Sequence, residues 1–104
     1  MQELSYRFPA DRVPQRRVHV GVVASGDLEV LLETAAGDSD DSVADVVVRT
    51  SVDGFDTVWS ATLERFFAHT PIRGRWELND FGATPAVVTL RLRQTAEAAT
   101  EDGS

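Results

Sequence analysis

The side chain in this sequence whose position most favours chemistry is a serine in a predicted turn. Ser25 lies in VVASGDLEVLL, residues 22–32, between two segments whose alternating apolar residues predict β-strands. In a three-residue hairpin loop built on a type I turn, Gly26 would take the left-handed conformation and expose the Ser25 hydroxyl to solvent. Ser51, in RTSVDGF, is the competing hydroxyl, although its position also fits the end of a strand. Ser25 is therefore the first candidate for a reactive or modified residue.

Ser25 does not stand in a pattern typical of a catalytic nucleophile. A nucleophilic serine needs a general base and an oxyanion hole, and VVASGDL is not the Gly-x-Ser-x-Gly turn that supplies them in α/β-hydrolases. His19 and His69 are far apart and in no metal-ligand spacing, which favours surface positions for both. Two interpretations of Ser25 stay open: ordinary turn chemistry, which is the commoner case, or modification by another enzyme.

The triplet Asp80-Phe81-Gly82 matches the metal-binding triplet of protein kinases, but the sequence has no accompanying glycine-rich loop, catalytic loop or lysine. We interpret the triplet as a turn, in which Gly82 frees the backbone and Phe81 anchors the turn in the core. Most of the carboxylates favour a solvated face, and no pair of them can be assigned to acid–base catalysis. These carboxylates include Glu29, Glu33, Asp45 and Asp80.

Length and composition restrict the function to that of a small domain. The 104 residues suffice for one domain, residues 1–104, and 42% hydrophobic and 26% charged residues are typical of a folded globular protein. A net charge of −7 argues against binding to nucleic acids or anionic membranes. The N-terminus lacks the pattern of a secretion signal and no apolar run is long enough to span a membrane, so we expect a cytoplasmic protein. The sequence contains no cysteine, so any thiol chemistry must use a thiol from another molecule.

Several segments have the patterns of β-strands. The predicted strands cover residues 4–8, 17–23, 28–33, 43–50 and 75–80. The first is placed at a sheet edge because Pro9 follows it, and the second and third are expected to form the hairpin around Ser25. The segment AAGDSDDS, residues 35–42, is small and acidic and predicts a solvated loop.

Two further segments predict helices. Apolar residues recur at helical spacing from Phe55 to Phe67, with Asp53 or Gly54 at the entry. Thr84 followed by Pro85 is typical of the N-cap and first turn of a second helix. The segment VTLRLR alternates like a strand, but the preceding cap and the following QTAEAA favour a helix there.

The order of these elements indicates the fold class. Strands followed by helix, strand and helix predict an α+β fold: a two-layer sandwich with a mostly antiparallel sheet of four to five strands and two helices on one face. A flexible tail is expected over about residues 99–104. No internal repeat or second domain is visible.

Five segments carry a resemblance to a known family: LSYRFPA, VGVVASGDLEVLLE, VRTSVDGF, LERFF and ELNDFGATPAVVTLRLRQ. They resemble the acyl carrier (delta) subunit of bacterial malonate decarboxylase over nearly the whole chain, except for the acidic loop and the tail. That family is similar in turn to the acyl carrier subunit of citrate lyase. The resemblance implies that Ser25 carries 2'-(5''-phosphoribosyl)-3'-dephospho-CoA, covalently attached.

The resemblance also implies partners and a mechanism. A transferase subunit exchanges the acetyl group on the arm for malonyl, and decarboxylase subunits then remove CO2 and regenerate the acetyl thioester. The implied partners are the transferase (alpha) subunit, the decarboxylase (beta and gamma) subunits and the prosthetic-group transferase that loads Ser25. A malonyl transferase is a further implied partner. The carrier itself is expected to catalyse none of these steps, because the chemistry comes with the cofactor.

Two other classes of function stay open on the residues. One is an unmodified scaffold or regulatory subunit of a multi-subunit enzyme, and the other is a small enzyme that uses carboxylates. Arg16 and Arg17 are weaker candidates for contacts to the phosphates of the arm or to an acidic partner, against the commoner case of solvated charges.

Overall fold

The computed structural model describes residues 2–34, 42–51 and 54–100. Five strands and two helices lie within these ranges. In chain order they are β1 (Gln2–Pro9), β2 (Val18–Val20), β3 (Leu28–Glu33), β4 (Val43–Thr50), α1 (Asp56–His69), β5 (Gly74–Asp80) and α2 (Pro85–Thr100). The acidic loop predicted at residues 35–42 lies outside the described residues except for Ser42.

The strands form one sheet in the order β1-β4-β5-β3-β2. Every neighbouring pair is antiparallel except β4 and β5, which are parallel and are connected through α1. Helix α1 packs against β1, and α2 packs against β2, β3 and α1. Buried and more exposed residues alternate along β3, β4 and β5, as expected when helices cover only one face of a sheet. The predicted α+β sandwich is therefore confirmed, including the edge position of β1.

The core lies between the helices and this covered face of the sheet. Trp76 in β5 is fully buried, and its indole Nε1 donates a hydrogen bond to the carbonyl oxygen of Ile72 at 3.1 Å. Phe67 of α1 lies against Trp76, with ring centroids 5.1 Å apart, and stacks on Phe8 of β1 at 5.0 Å. These aromatic contacts join the edge strand, the central strand and α1 into one apolar cluster.

Truncation of a central core residue should cost several times more stability than truncation of an exposed one. Leu78 of β5 is fully buried, so Leu78→Ala should lower the free energy of unfolding by about 3 kcal/mol through lost burial and the cavity left behind. Leu90 of α2 is 50% exposed, and Leu90→Ala should change it by about 0.5 kcal/mol or less. Urea denaturation of the two variants measures both values, and equal losses would contradict the assigned core.

The structure corrects the predicted extent of two elements. The strand predicted at residues 17–23 ends at Val20, because Gly21 has a positive φ of 83° that a strand does not accommodate. Helix α2 continues into the predicted tail as far as Thr100 and buries Ala99, while the rest of that tail, residues 101–104, lies outside the described residues. The backbone N–H of Gln15 donates to the Ala99 carbonyl at 2.8 Å, which satisfies a carbonyl group in the last helical turn.

The beginnings of the two helices differ in how well they were predicted. The N-cap of α1 is Phe55, without a side-chain cap, rather than Asp53 or Gly54; of these, Asp53 lies outside the described residues. The prediction for α2 is confirmed, because the backbone N–H of Val87 donates to Thr84 Oγ1 at 3.3 Å. Among the described residues, no helix is long and apolar enough to cross a membrane.

Candidate functional site

Ser25 lies exposed near the tip of the loop that joins β2 and β3. This loop covers residues 21–27, so it is longer than the predicted three-residue hairpin loop. Within it, the backbone N–H of Asp27 donates to the Ala24 carbonyl at 3.0 Å, which closes a four-residue turn. Gly26 occupies the third position with a φ of 82°, as in a type II turn rather than the expected type I. The left-handed conformation predicted for Gly26 and the exposure predicted for Ser25 are both found.

The turn that carries Ser25 is held by the backbone of the neighbouring β5–α2 connection. The N–H of Gly26 donates to the Phe81 carbonyl at 2.7 Å, and the N–H of Phe81 donates to the Asp27 carbonyl at 3.1 Å. The prediction that the Phe81 side chain anchors a turn in the core is wrong, since this side chain is only half-buried and lies outside the core cluster. Phe81 instead fixes the Ser25 turn through its main chain.

Asp27 fixes the same loop through its side chain. Its carboxylate accepts hydrogen bonds from the backbone N–H groups of Val22 at 3.2 Å and Leu28 at 2.7 Å. Arg91 of α2 donates to both carboxylate oxygens, at 2.9 and 3.1 Å. The hydrogen bonds from Arg91 and then from Leu28 lower the pKa of Asp27 below its usual value. Asp27 is therefore an ionised structural group rather than a general base for Ser25.

The contribution of this carboxylate to stability should depend on pH. A carboxyl group whose pKa is lowered in the folded chain stabilises the fold above its ordinary pKa, and this stabilisation is lost as the pH falls through the lowered value. Asp27→Asn should therefore melt below the wild type at pH 7, and the difference in Tm should narrow below about pH 4. Thermal unfolding at pH 7 and at pH 3 measures this, and a difference that is equal at both pH values would contradict the role of the charge.

Both helices begin at the end of the molecule where the Ser25 loop lies. β4 and β5 are parallel, and each is followed by a helix, so α1 and α2 both start beyond the carboxyl ends of these strands. β3 is antiparallel to β5, and its first residue, Leu28, pairs with Asp80, the last residue of β5. The loop before β3 therefore lies at the same end of the molecule as the helix N-termini. The partial positive charge of the two helix N-termini therefore lies at the same end of the molecule as the Ser25 loop and the carboxylates of Asp56 and Asp80.

The sequence-predicted alternatives to Ser25 have ordinary structural surroundings. Ser51 is exposed just after β4, and His69 is exposed at the end of α1. His19 is also exposed, and its Nε2 lies 3.0 Å from Glu29 Oε2, while Asn79 Nδ2 donates to Glu29 Oε1 at 2.9 Å. No cluster of three or more potential metal ligands occurs among the residues that the structure describes.

Three of the candidate carboxylates differ in burial, since Glu33 and Asp45 are half-exposed and Asp80 is buried. On the sheet face away from the helices, Glu33 pairs with Arg17 at 2.9 Å and Asp45 pairs with Arg7 at 2.7 Å, as expected for a solvated face. Asp80 is the exception, being 5% exposed. Its Oδ2 accepts a hydrogen bond from Thr50 Oγ1 at 2.8 Å, and its Oδ1 accepts one from the backbone N–H of Ala83 at 2.9 Å. This geometry supports the interpretation of the Asp80 triplet as a turn.

The weaker candidates Arg16 and Arg17 lie away from Ser25. Both precede β2, whereas the Ser25 loop follows it. Arg16 donates to the Ala98 carbonyl near the end of α2, and Arg17 pairs with Glu33. Arg91 is the basic residue that the structure places beside the loop. No local pattern predicts this contact, because Arg91 is 64 positions from Asp27 in the chain.

Comparisons with known proteins agree with one another. Residues 15–99 match the model of an acyl carrier family described as the malonate decarboxylase delta subunit (MdcD). The malonate decarboxylase acyl carrier protein of Burkholderia cepacia is 50% identical over 99 residues, covering 92% of this chain and 88% of the relative. The protein of that description from Stenotrophomonas maltophilia is 46% identical over 101 residues, covering 93% and 92%.

A solved structure has the same fold as this chain. A chain in the crystal structure of a Pseudomonas malonate decarboxylase hetero-tetramer in complex with malonate superposes with a TM-score of 0.84 at 44% identity. The match covers 93% of this chain and 97% of that one. The family model covers the β2–β3 loop, all of α1 and all but the last residue of α2, and this chain therefore belongs to the malonate decarboxylase delta-subunit family of acyl carrier proteins.

Proposed function

We propose that this chain carries acetyl and malonyl groups as thioesters within a malonate decarboxylase complex, on 2'-(5''-phosphoribosyl)-3'-dephospho-CoA attached to Ser25. The observation that carries the proposal is the exposed serine on a turn whose backbone is held by Phe81 and whose loop is held by Asp27. A rigid turn with an accessible hydroxyl is a suitable attachment point for a group that must reach several active sites. When bound, the group supplies the thiol that this cysteine-free chain lacks.

The described residues around Ser25 fit a large anionic group. Gly26 leaves one side of the serine without a side chain, and a Cβ placed at Gly26 would meet nothing within 4 Å. The N-termini of α1 and α2 contribute partial positive charge at this end of the molecule, where Asp56 and Asp80 also lie. Arg91 is paired with Asp27, so it preserves the loop rather than offering a free cation.

The loop also presents apolar surface suitable for protein contacts. Val22 and Val23, close before Ser25, are 59% and 63% exposed. Exposed apolar residues next to a reactive position are typical of a surface that contacts other proteins. In the proposed function, this surface contacts the prosthetic-group transferase during loading and then the transferase (alpha) and decarboxylase (beta and gamma) subunits.

The proton of the Ser25 hydroxyl must leave during loading, and the loop itself offers no suitable base. The carboxylate of Asp27 is already engaged by two backbone N–H groups and by Arg91. We therefore assign the general base to the prosthetic-group transferase. In this proposal the chain presents the hydroxyl in a fixed position and catalyses neither the acyl exchange nor the decarboxylation.

Intact-protein mass after co-expression with the prosthetic-group transferase tests the proposal. We expect the chain to gain the mass of one group, and peptide mapping should place it on Ser25. A chain that never gains mass would leave the unmodified scaffold or regulatory subunit as the better function. Decarboxylation of malonyl-CoA by the isolated chain would instead favour a small enzyme and would contradict the carrier role.

A further inference from the structure

A groove of about 400 Å³ opens beside the Ser25 turn, between the N-terminal turns of α1 and α2. We propose that this groove binds the adenine base of the group attached to Ser25, and so fixes the nucleotide end of the arm while its thiol end moves between active sites. The inference rests on the proposed function, because it requires a nucleotide at Ser25. The volume lies in the range of small-molecule sites in proteins.

The groove walls suit a flat apolar ring. Phe55, Val58 and Trp59 line it from the α1 side, and Pro85 and Val88 line it from α2. Phe55 and Val58 are 47% and 45% exposed, although the core beneath them is fully covered. Large apolar side chains left exposed around a concavity indicate a ligand surface rather than incomplete packing. An aromatic side chain at the rim can stack on a base.

The path from Ser25 to the groove is short and crosses a glycine. Gly82 lines the groove, and a Cβ built on it would lie 4.0 Å from the backbone nitrogen of Gly26. Gly82 also has a φ of 91°, which disfavours any other residue at that position. The backbone hydrogen bond from Gly26 to the Phe81 carbonyl fixes the two turns next to each other. The phosphate and ribose units between serine and adenine can therefore pass over Gly82.

Polar groups are present where the edge of a base would need them. The polar side chains that line the groove are those of Thr50, Thr62 and Asp80, and Thr50 and Asp80 are buried. Thr50 Oγ1 donates to Asp80 Oδ2 at 2.8 Å, and the remaining lone pairs of the Asp80 carboxylate are acceptors to which the exocyclic amine of adenine could donate.

The adenine base is a better occupant of this groove than the pantetheine or acyl end of the arm. In the proposed group, the base is the first apolar part encountered after the serine phosphate, whereas the thiol is at the far end. The groove adjoins the attachment turn directly, so the base reaches it without the arm folding back. The acyl group stays outside and is available to the partner subunits.

Resonance mapping of the full chain before and after loading tests the inference. We expect loading to shift the Trp59 indole and the backbone amides of Val58 and Ala83, while the indole of fully buried Trp76 stays unchanged. The shifts should be the same for the free thiol, acetyl and malonyl forms. A loaded chain whose groove resonances do not move would overturn the inference and leave the proposed function intact. Shifts that change with the acyl group would assign the groove to the acyl end and overturn the choice of the base.

Free ligands provide a second test that does not use covalent loading. Dephospho-CoA should bind the unloaded chain at the groove, whereas pantetheine, which lacks the base, should not. Phe55→Ala should weaken the binding of dephospho-CoA about tenfold through lost stacking, and Val58→Gln should weaken it in the same direction. The matched control Leu90→Ala, at a similarly exposed apolar residue of α2, should leave the affinity unchanged. Equal affinities in all these variants would overturn the inference, and a chain that is never loaded at Ser25 would overturn both proposals.

Discussion

Ser25→Ala is expected to abolish malonate turnover by the reconstituted complex, because in the proposed function this hydroxyl is the attachment point of the prosthetic group. The fold should persist, since the side chain is exposed and the turn is held by backbone hydrogen bonds from Gly26 and Phe81. The free energy of unfolding should change by about 0.5 kcal/mol or less. Malonate turnover and urea denaturation of this variant measure these two effects, and its intact mass should show no attached group.

Ser51→Ala is the matched control for this experiment. Ser51 also has an exposed hydroxyl at the end of the sheet where the helices begin. Its removal therefore tests whether any serine in that region can carry the prosthetic group. The Ser51→Ala chain should still gain the group and support turnover at the wild-type rate. If the Ser25→Ala complex still carries the group or still decarboxylates malonate, the assignment of Ser25 is wrong.

Gly21→Ala should cause the largest loss of stability among single substitutions in the Ser25 loop. A Cβ at this position would lie 2.0 Å from the backbone oxygen of Leu28, and the φ of 83° is itself unfavourable for alanine. Since a backbone carbonyl in a paired strand cannot move aside cheaply, the hairpin must distort. We expect a loss of about 4 kcal/mol or more in the free energy of unfolding, measured by urea denaturation.

Gly26→Ala separates the steric part of this effect from the conformational part. Gly26 has nearly the same φ, 82°, but a Cβ there would meet nothing within 4 Å. Its substitution should therefore cost only about 1–2 kcal/mol, the usual penalty of the left-handed conformation. Similar losses for the two variants would contradict the close approach of Gly21 to Leu28. Loading of Gly26→Ala should also slow, because the strained turn no longer aims Ser25 correctly.

The local elements could be predicted because their causes are local. Alternating apolar residues on one face gave β1, β3 and β5, and the β-branched segment gave β4, with its observed bounds Val43–Thr50. Thr84 and Pro85 resolved the ambiguous VTLRLR segment as helix, because a capping hydroxyl and a proline in the first turn both favour a helix start. The exposed Ser25 and left-handed Gly26 followed from turn chemistry in the same way.

Several of the predictions that failed depended on contacts outside the local segment. The strand around Val22 was predicted too long because nothing nearby shows that Gly21 packs against Leu28 and ends β2. The Phe81 side chain was placed in the core because it is aromatic, whereas its backbone pairing with Gly26 and Asp27 is a contact between two separate turns. Arg91 was missed for the same reason.

The sequence by itself determined the α+β class, the helix and strand segments and the serine that we assign to the prosthetic group, since these depend on periodicity, turn residues and family resemblance. Only the tertiary structure decided the parallel pairing of β4 and β5, which places both helix N-termini at the Ser25 end. It also decided the clamp of Asp27 by Arg91 and the groove that Phe55 and Val88 share. These features arise where chain segments far apart in sequence meet, and strand order and side-chain contacts between them are set by packing of the whole core rather than by any local pattern.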